Sequence, residues 1–86
     1  MIASPENEKT LRDLLSYYDP LGVDERTDEY IVIAHIILAR LKDVSTFGQL
    51  EDVLDESFGM WVEEDTPELV RQCGRVAVDF WKIAQN

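Results

Sequence analysis

Three features of the 86-residue sequence predict an all-α fold, a compact bundle of about four helices around a buried central helix. Each long segment repeats its apolar residues with the period of a helix, and each begins with a recognisable cap. In the segment Tyr30–Leu41, ten of the twelve residues are apolar. A segment of this length is too short to span a bilayer and too long for an ordinary strand. No linker or repeat interrupts the chain, so residues 1–86 are expected to form a single helical domain.

The first helix is predicted to begin after Ser4, an N-cap residue that is followed by a proline in the first helical position. It must end near Tyr18, because Pro20 disfavours helical geometry in the residue before it. Residues Asp19–Gly22 have the preferences of a type I turn. The aspartate of this turn is expected to hydrogen-bond the backbone two residues further on.

The second helix is the predicted centre of the bundle. It is expected to start between residues 24 and 27 and to end near Asp43. A helix that is apolar on nearly its whole circumference is a buried helix. We therefore expect only a narrow stripe, marked by Asp28, His35 and Lys42, to reach water.

The third and fourth helices also carry start signals. A capping box opens the third helix at Thr46, and Gly59 is expected to end it in a left-handed conformation, with Met60 folding back onto the helix. Thr66 is the predicted cap of the fourth helix. Gly74 inside that helix costs about 1 kcal/mol relative to alanine. Close approach of a neighbouring helix would compensate for this cost.

The composition favours a basic partner. Eighteen acidic residues against eight basic ones give a net charge of −10. Such a surface repels nucleic acids and anionic membranes and attracts basic proteins. The N-terminal residues do not match the pattern of a secretory signal. The single cysteine, Cys73, cannot form an internal disulfide. These features predict a cytoplasmic protein.

One stretch of the chain is acidic throughout. No basic residue occurs between Lys42 and Arg71, whereas nine acidic residues do. The candidate partner-binding residues within it are Glu51, Asp52, Asp55, Glu56, Trp61, Glu63, Glu64 and Asp65.

Two interpretations of this acidic stretch remain open. It is either a solvated face or a surface for a basic partner, in which carboxylates imitate the phosphates of a nucleic acid. Phe58, Met60 and Trp61 lie among the acids, and an apolar anchor with a charged rim is typical of protein interfaces. Trp61 could equally cover the core.

Catalysis has little support in the sequence, and we expect no enzyme activity. His35 is the only histidine, and one histidine in a helix is more often a hydrogen-bonded residue than a metal ligand. Cys73 falls on an apolar stripe, where cysteine is usually a small core residue. A dyad of these two residues is therefore disfavoured. The paired Glu-x-x-His motifs of di-iron bundles and a phosphate-binding glycine loop are missing, so no metal or cofactor is expected.

A resemblance adds to this interpretation. The segment Tyr18–Val23, followed by Asp28–Tyr30 and the apolar helix, resembles a family of small bacterial all-helical proteins with an aromatic-Asp-Pro-Ile/Leu-Gly motif and a later Asp-Glu-Tyr. The aromatic-Gly end of the third helix and the late Trp81 are also similar to that family. Its members usually continue with aspartate after Asp-Glu-Tyr, where this chain has Ile31.

The resemblance also suggests a function. Acidic proteins of this size and type resemble immunity proteins of contact-dependent growth inhibition and related toxin systems. The resemblance implies that the chain binds a cognate toxin domain, with a nuclease as the expected partner, and covers its basic active site. It supplies no catalytic residues. The alternative is an acidic interaction or regulatory module with another basic partner.

Overall fold

The computed structural model describes residues 1–22, 28–60, 62, 64 and 66–85. These residues form four α-helices, with no strand among them, which confirms the predicted all-α fold. The helices are α1 (Pro5–Tyr18), α2 (Glu29–Arg40), α3 (Phe47–Gly59) and α4 (Pro67–Gln85), and a 3-10 turn (Leu41–Asp43) follows α2.

The four helices form a ring around one core. Helix α1 packs mainly on α2 and α4, and α3 likewise packs mainly on α2 and α4. Every helix contributes fully buried apolar side chains to the core, because each has an apolar face at helical spacing. The largest of them are Leu11, Leu15, Ile33, Ile37, Leu41, Leu50, Leu54, Phe58, Val76 and Phe80.

The predicted caps are present where the structure describes them. The N–H of Asn7 donates to the Ser4 hydroxyl at 3.2 Å, which starts α1. Thr46 and Gln49 form the complete capping box of α3, and the Leu69 N–H donates to the Thr66 hydroxyl at 3.1 Å. Each cap satisfies a backbone donor that the first turn of a helix leaves unpaired. Local sequence therefore sets the starts of these helices.

Helix α2 is less completely buried than its composition predicts. Its predicted start between residues 24 and 27 lies outside the described residues, and its α-helical part ends at Arg40. Tyr30, Ile33, Ala34 and Ile37 are buried, but Ile31 is 38% and Val32 is 42% exposed. The physical reason is the ring arrangement, since α2 has neighbouring helices on two sides and none on its outer side among the described residues.

The end of α3 also differs from the prediction. Gly59 is the last helical residue, and the only described glycine with a positive φ is Gly22. Met60 continues with right-handed geometry (φ −75°) and is 72% exposed, so it does not fold back onto the helix.

A tyrosine hydroxyl ties the loop after α1 to α2. The Tyr30 hydroxyl donates a hydrogen bond to the Asp19 carboxylate and accepts one from the Leu21 N–H at 3.0 Å. The Gly22 N–H donates to the Asp19 carbonyl at 3.0 Å, which closes the predicted turn. The Asp19 carboxylate was expected to bond the backbone N–H of Leu21, and the Tyr30 hydroxyl bridges these two groups. Burial, and then the hydrogen bond to Asp19, raises the pKa of Tyr30.

A second tyrosine joins α1 to α4. The Tyr18 hydroxyl donates to the Asp79 carboxylate, and this hydrogen bond is the main cause that raises the pKa of Tyr18. Two residues further along α4, the Trp81 ring meets the Phe47 ring edge-on at 5.9 Å, which joins α4 to α3. The residues of the family-like motif therefore act as framework contacts.

Candidate functional site

The structure brings four of the predicted site residues together on α3. Glu51, Asp52, Asp55 and Glu56 are all exposed. Their spacing of one, three and one residues places them on the side of α3 opposite its buried residues. Glu64 is exposed in the segment that follows. Trp61, Glu63 and Asp65 lie outside the described residues, so the anchor role of Trp61 stays a prediction.

The acids of α3 repel one another. Glu51 with Asp55, and Asp52 with Glu56, are like-charge pairs at i,i+4, which destabilise a helix by roughly 0.2–0.5 kcal/mol each. Glu56 also forms an ion pair with Arg40 of α2, with both side chains about half exposed. An exposed ion pair of this kind contributes about 0–1 kcal/mol. These like-charge pairs therefore do not stabilise the fold, and the exposed ion pair of Glu56 adds little.

A groove lies beside this acidic face, between α3 and α4. Its floor consists of Leu54, Cys73 and Ala77, and its volume is about 100 Å³. Glu51 and Asp55 line it on the α3 side. The site thus combines an apolar floor with an acidic edge.

The α4 side of the groove is open because of a glycine. We expected close approach of another helix to compensate for Gly74, and this is wrong, because a Cβ atom built on Gly74 would have no neighbour within 4 Å. Val70, one turn before it, is 58% exposed, and Val78, one turn after it, is 40% exposed. Val70 and Gly74 form the α4 edge of the groove, with open space at the glycine, whereas Val78 is not part of the groove lining. Sequence reasoning missed this edge.

The aromatic and sulfur-containing residues near the acids separate into two groups. Phe58 is buried in the core and cannot anchor a partner, whereas Met60 is exposed at the end of α3. Cys73 is buried, as expected for a small core residue, and it contributes to the groove floor. Candidate anchoring contacts are therefore those with Met60 and Val70.

His35 lies away from this site. Its Nε2 atom is 2.7 Å from Glu8 Oε1, and it projects from the exposed side of α2. Cys73 lies on α4, which is not a main packing neighbour of α2, so nothing in the arrangement favours a dyad. Within the described part of the chain, no group of three metal-ligating side chains comes together. None of the helices there is long and apolar enough to cross a membrane.

Comparison with known proteins gives no assignment. No known protein family, curated protein or solved structure matches this chain. The family resemblance of the loop motif stays a prediction, and the functional argument must rest on the surface itself.

Proposed function

We propose that the chain is a cytoplasmic immunity protein that binds a cognate bacterial toxin domain, a nuclease, and covers its basic active site. The observation that carries this proposal is the acidic face of α3, formed by Glu51, Asp52, Asp55 and Glu56, in a chain of net charge −10. A nuclease cleft holds lysine and arginine side chains that bind phosphates. The carboxylates of this face can take the places of those phosphates in the cleft, and inhibition then requires no chemical step.

The energetics of α3 support a binding role for these acids. Since like charges at i,i+4 destabilise the helix, mutual contacts among the acids do not explain their concentration. Opposite charge on a partner would turn this repulsion into attraction. It would also speed association, because complementary potentials steer the encounter.

The groove beside the acids supplies the apolar part of the interface. Interfaces gain most of their affinity from a few buried apolar or aromatic contacts surrounded by a polar rim. Val70 provides exposed apolar surface, and Gly74 leaves an unfilled gap next to Glu51 and Asp55. A side chain from the toxin would enter this gap, with its basic neighbours on the acidic edge.

The same groove favours a second candidate function. An apolar floor with an acidic edge also fits a single basic amphipathic segment, as in an interaction or regulatory module. The two functions differ in the size of the partner, because an immunity protein must contact a folded toxin domain and a module can bind a peptide. Protection of cells from a toxin separates them.

The proposal predicts that the gene beside the one for this chain encodes a toxin with a nuclease domain, and the test is co-expression of the two. We expect the parent to protect cells, and the double variant Glu51→Lys with Asp55→Lys to associate at least about tenfold more slowly at low salt. The matched control is Glu6→Lys with Asp13→Lys, two exposed positions on α1. Each replacement adds two units of charge, so both double variants change from −10 to −6.

The control separates local from overall charge. Protection and fast association by the α1 double variant, with loss of both in the α3 double variant, would place the toxin on α3. Equal association rates for the parent and both variants would show that the acidic face is only a solvated surface. Binding without protection would favour the regulatory module.

A further inference from the structure

The outer side of α2 is an apolar face that no other described helix covers. It consists of Ile31, Val32, His35, Leu38 and Ala39, together with Asp28 just before the helix and Lys42 in the 3-10 turn after it. All of these residues are exposed except Leu38, which is half-buried. Their spacing is that of one helix side, at i, i+3, i+4 and i+7. This set, which we name the α2 outer face, lies apart from the acidic face of α3.

The α2 outer face is symmetric about His35. Asp28 and Lys42 lie seven residues to either side of it, Ile31 and Ala39 four, and Val32 and Leu38 three. When two such helices pack antiparallel around a two-fold axis at His35, each residue lies level with its counterpart on the other helix. Large Ile31 would then lie beside small Ala39, and Asp28 beside Lys42, at both ends.

The charge of the molecule also favours this face for self-association. Two chains of net charge −10 repel each other, and contact through α3 would bring acids against acids. No acid occurs from Tyr30 to Lys42, so this helix is the acid-poor part of the chain. A strongly basic partner would favour the acidic face of α3 over this one. The partner of this face must therefore offer apolar surface and complementary charges at the two ends. A second copy of the chain does both, because it offers the same apolar residues and places Asp28 against Lys42.

We propose that the chain forms a two-fold symmetric dimer in which the α2 outer faces of two copies pack antiparallel, with the two His35 residues at the axis. His35 Nε2 lies 2.7 Å from Glu8 Oε1 of its own chain, so each copy brings one Glu8 carboxylate close to the axis together with its histidine. The acidic face of α3 stays outside this contact. The proposal does not depend on toxin binding.

Sedimentation equilibrium of the full chain at physiological salt tests the proposal. We expect a reversible rise in mass from 9.9 kDa to twice that value with increasing concentration. One helix pair makes an interface at the small end of the known range, so the expected dissociation constant is roughly 10–100 µM. Val32→Glu should weaken the dimer at least about tenfold. Its matched control is Val78→Glu on α4, where the valine is 40% exposed against 42% for Val32.

A charge exchange tests the antiparallel arrangement. Asp28→Lys alone sets lysine against Lys42, and Lys42→Asp alone sets aspartate against Asp28, so each variant should be monomeric by itself. An equal mixture of the two variants should form a heterodimer, because both end contacts then join opposite charges. Circular dichroism of each variant confirms that it remains helical.

Three results would overturn the proposal. The first is a parent that stays monomeric at all concentrations up to about ten times the expected dissociation constant. The second is a dimer that Val78→Glu weakens and Val32→Glu leaves intact, which would place the contact elsewhere. The third is a dimeric parent whose two charge variants do not associate when mixed.

Discussion

Single residues decide how the loop motif of this chain works. Tyr30 holds the turn after α1 because its hydroxyl contacts both the Asp19 carboxylate and the Leu21 N–H. A buried polar group that loses its partner costs more than the bond itself contributes. The aromatic-Asp-Pro-Leu-Gly pattern and the later tyrosine therefore form one structural unit.

The phenol of Tyr30 makes this unit sensitive to alkaline pH. We expect Tyr30→Phe to lower the free energy of unfolding by about 1–3 kcal/mol at neutral pH, because the Leu21 N–H loses its acceptor and Asp19 loses a donor. The raised pKa of Tyr30 means that the unfolded chain releases its proton at a lower pH than the native protein. Native stability should therefore fall as the pH rises above about 10, the ordinary tyrosine value, and Tyr30→Phe should reduce this fall.

Urea unfolding at a series of pH values measures both effects. Tyr17→Phe is the control, because the Tyr17 ring is exposed, and it should change the free energy of unfolding by less than about 0.5 kcal/mol at neutral pH. A Tyr30→Phe protein as stable as the parent at neutral pH would mean that its hydroxyl does not hold the turn. The Tyr18 hydroxyl on Asp79 gives a second contribution of the same sign.

At the scale of elements, the pairing of α3 with α4 leaves the groove that the proposed function requires. A glycine in the interior of a helix weakens it by roughly 0.5–1 kcal/mol relative to alanine. At Gly74 no packing constraint demands this loss, since the space for a side chain is empty. A position where local sequence opposes stability without a packing reason is a candidate functional position.

Replacement of Gly74 should therefore change stability and binding in opposite directions. We expect Gly74→Ala to raise the free energy of unfolding by about 0.5–1 kcal/mol, because helix propensity improves and nothing clashes. Gly74→Leu should fill the groove and accelerate dissociation of the toxin domain at least about tenfold. Thermal unfolding and surface plasmon resonance measure the two effects.

Ser16 on α1 offers a control for this groove. Its side chain is exposed and lies outside both the groove and the acidic face of α3. Ser16→Leu should leave toxin dissociation unchanged. If Gly74→Leu behaves in the same way, the toxin does not enter the groove, and the acidic face of α3 must bind it without this apolar contact.

At the scale of the whole molecule, one small core carries the fold. A domain of this size has a free energy of unfolding of only about 5–10 kcal/mol. All four helices contribute side chains to the core, so the loss of one helix would expose the apolar faces of the others. The domain is therefore expected to unfold as a unit.

A charge in this core should unfold the chain. Ile37 is fully buried, so Ile37→Asp places an unpaired carboxylate among apolar side chains and should abolish the helical circular dichroism signal. The control is Ile31→Asp in the first turn of the same helix, where the side chain reaches water and the helix macrodipole favours an acid. Equal melting temperatures for the two variants would mean that the buried side of α2 is misplaced.

The sequence by itself determined the elements of this protein. Helix starts at Ser4, Thr46 and Thr66 depend on side chains within three residues of the capped N–H groups, so local sequence contains them. The apolar period likewise predicted the core-facing side of α1, α3 and α4, except at Ile83, which continues the period of α4 but is 51% exposed. The four acids of α3 also follow from helical spacing alone.

Only the tertiary structure decided which surfaces stay open. The composition of Tyr30–Leu41 predicts burial on nearly all sides, but burial depends on how many neighbours a helix has, and that is a property of the whole ring. The space beside Gly74 likewise depends on how α3 and α4 pack. The contacts of Tyr18 with Asp79 and of Tyr30 with Asp19 join residues from different elements. Periodicity describes one helix at a time, so neither the groove nor the full α2 outer face could be located before the helices were assembled.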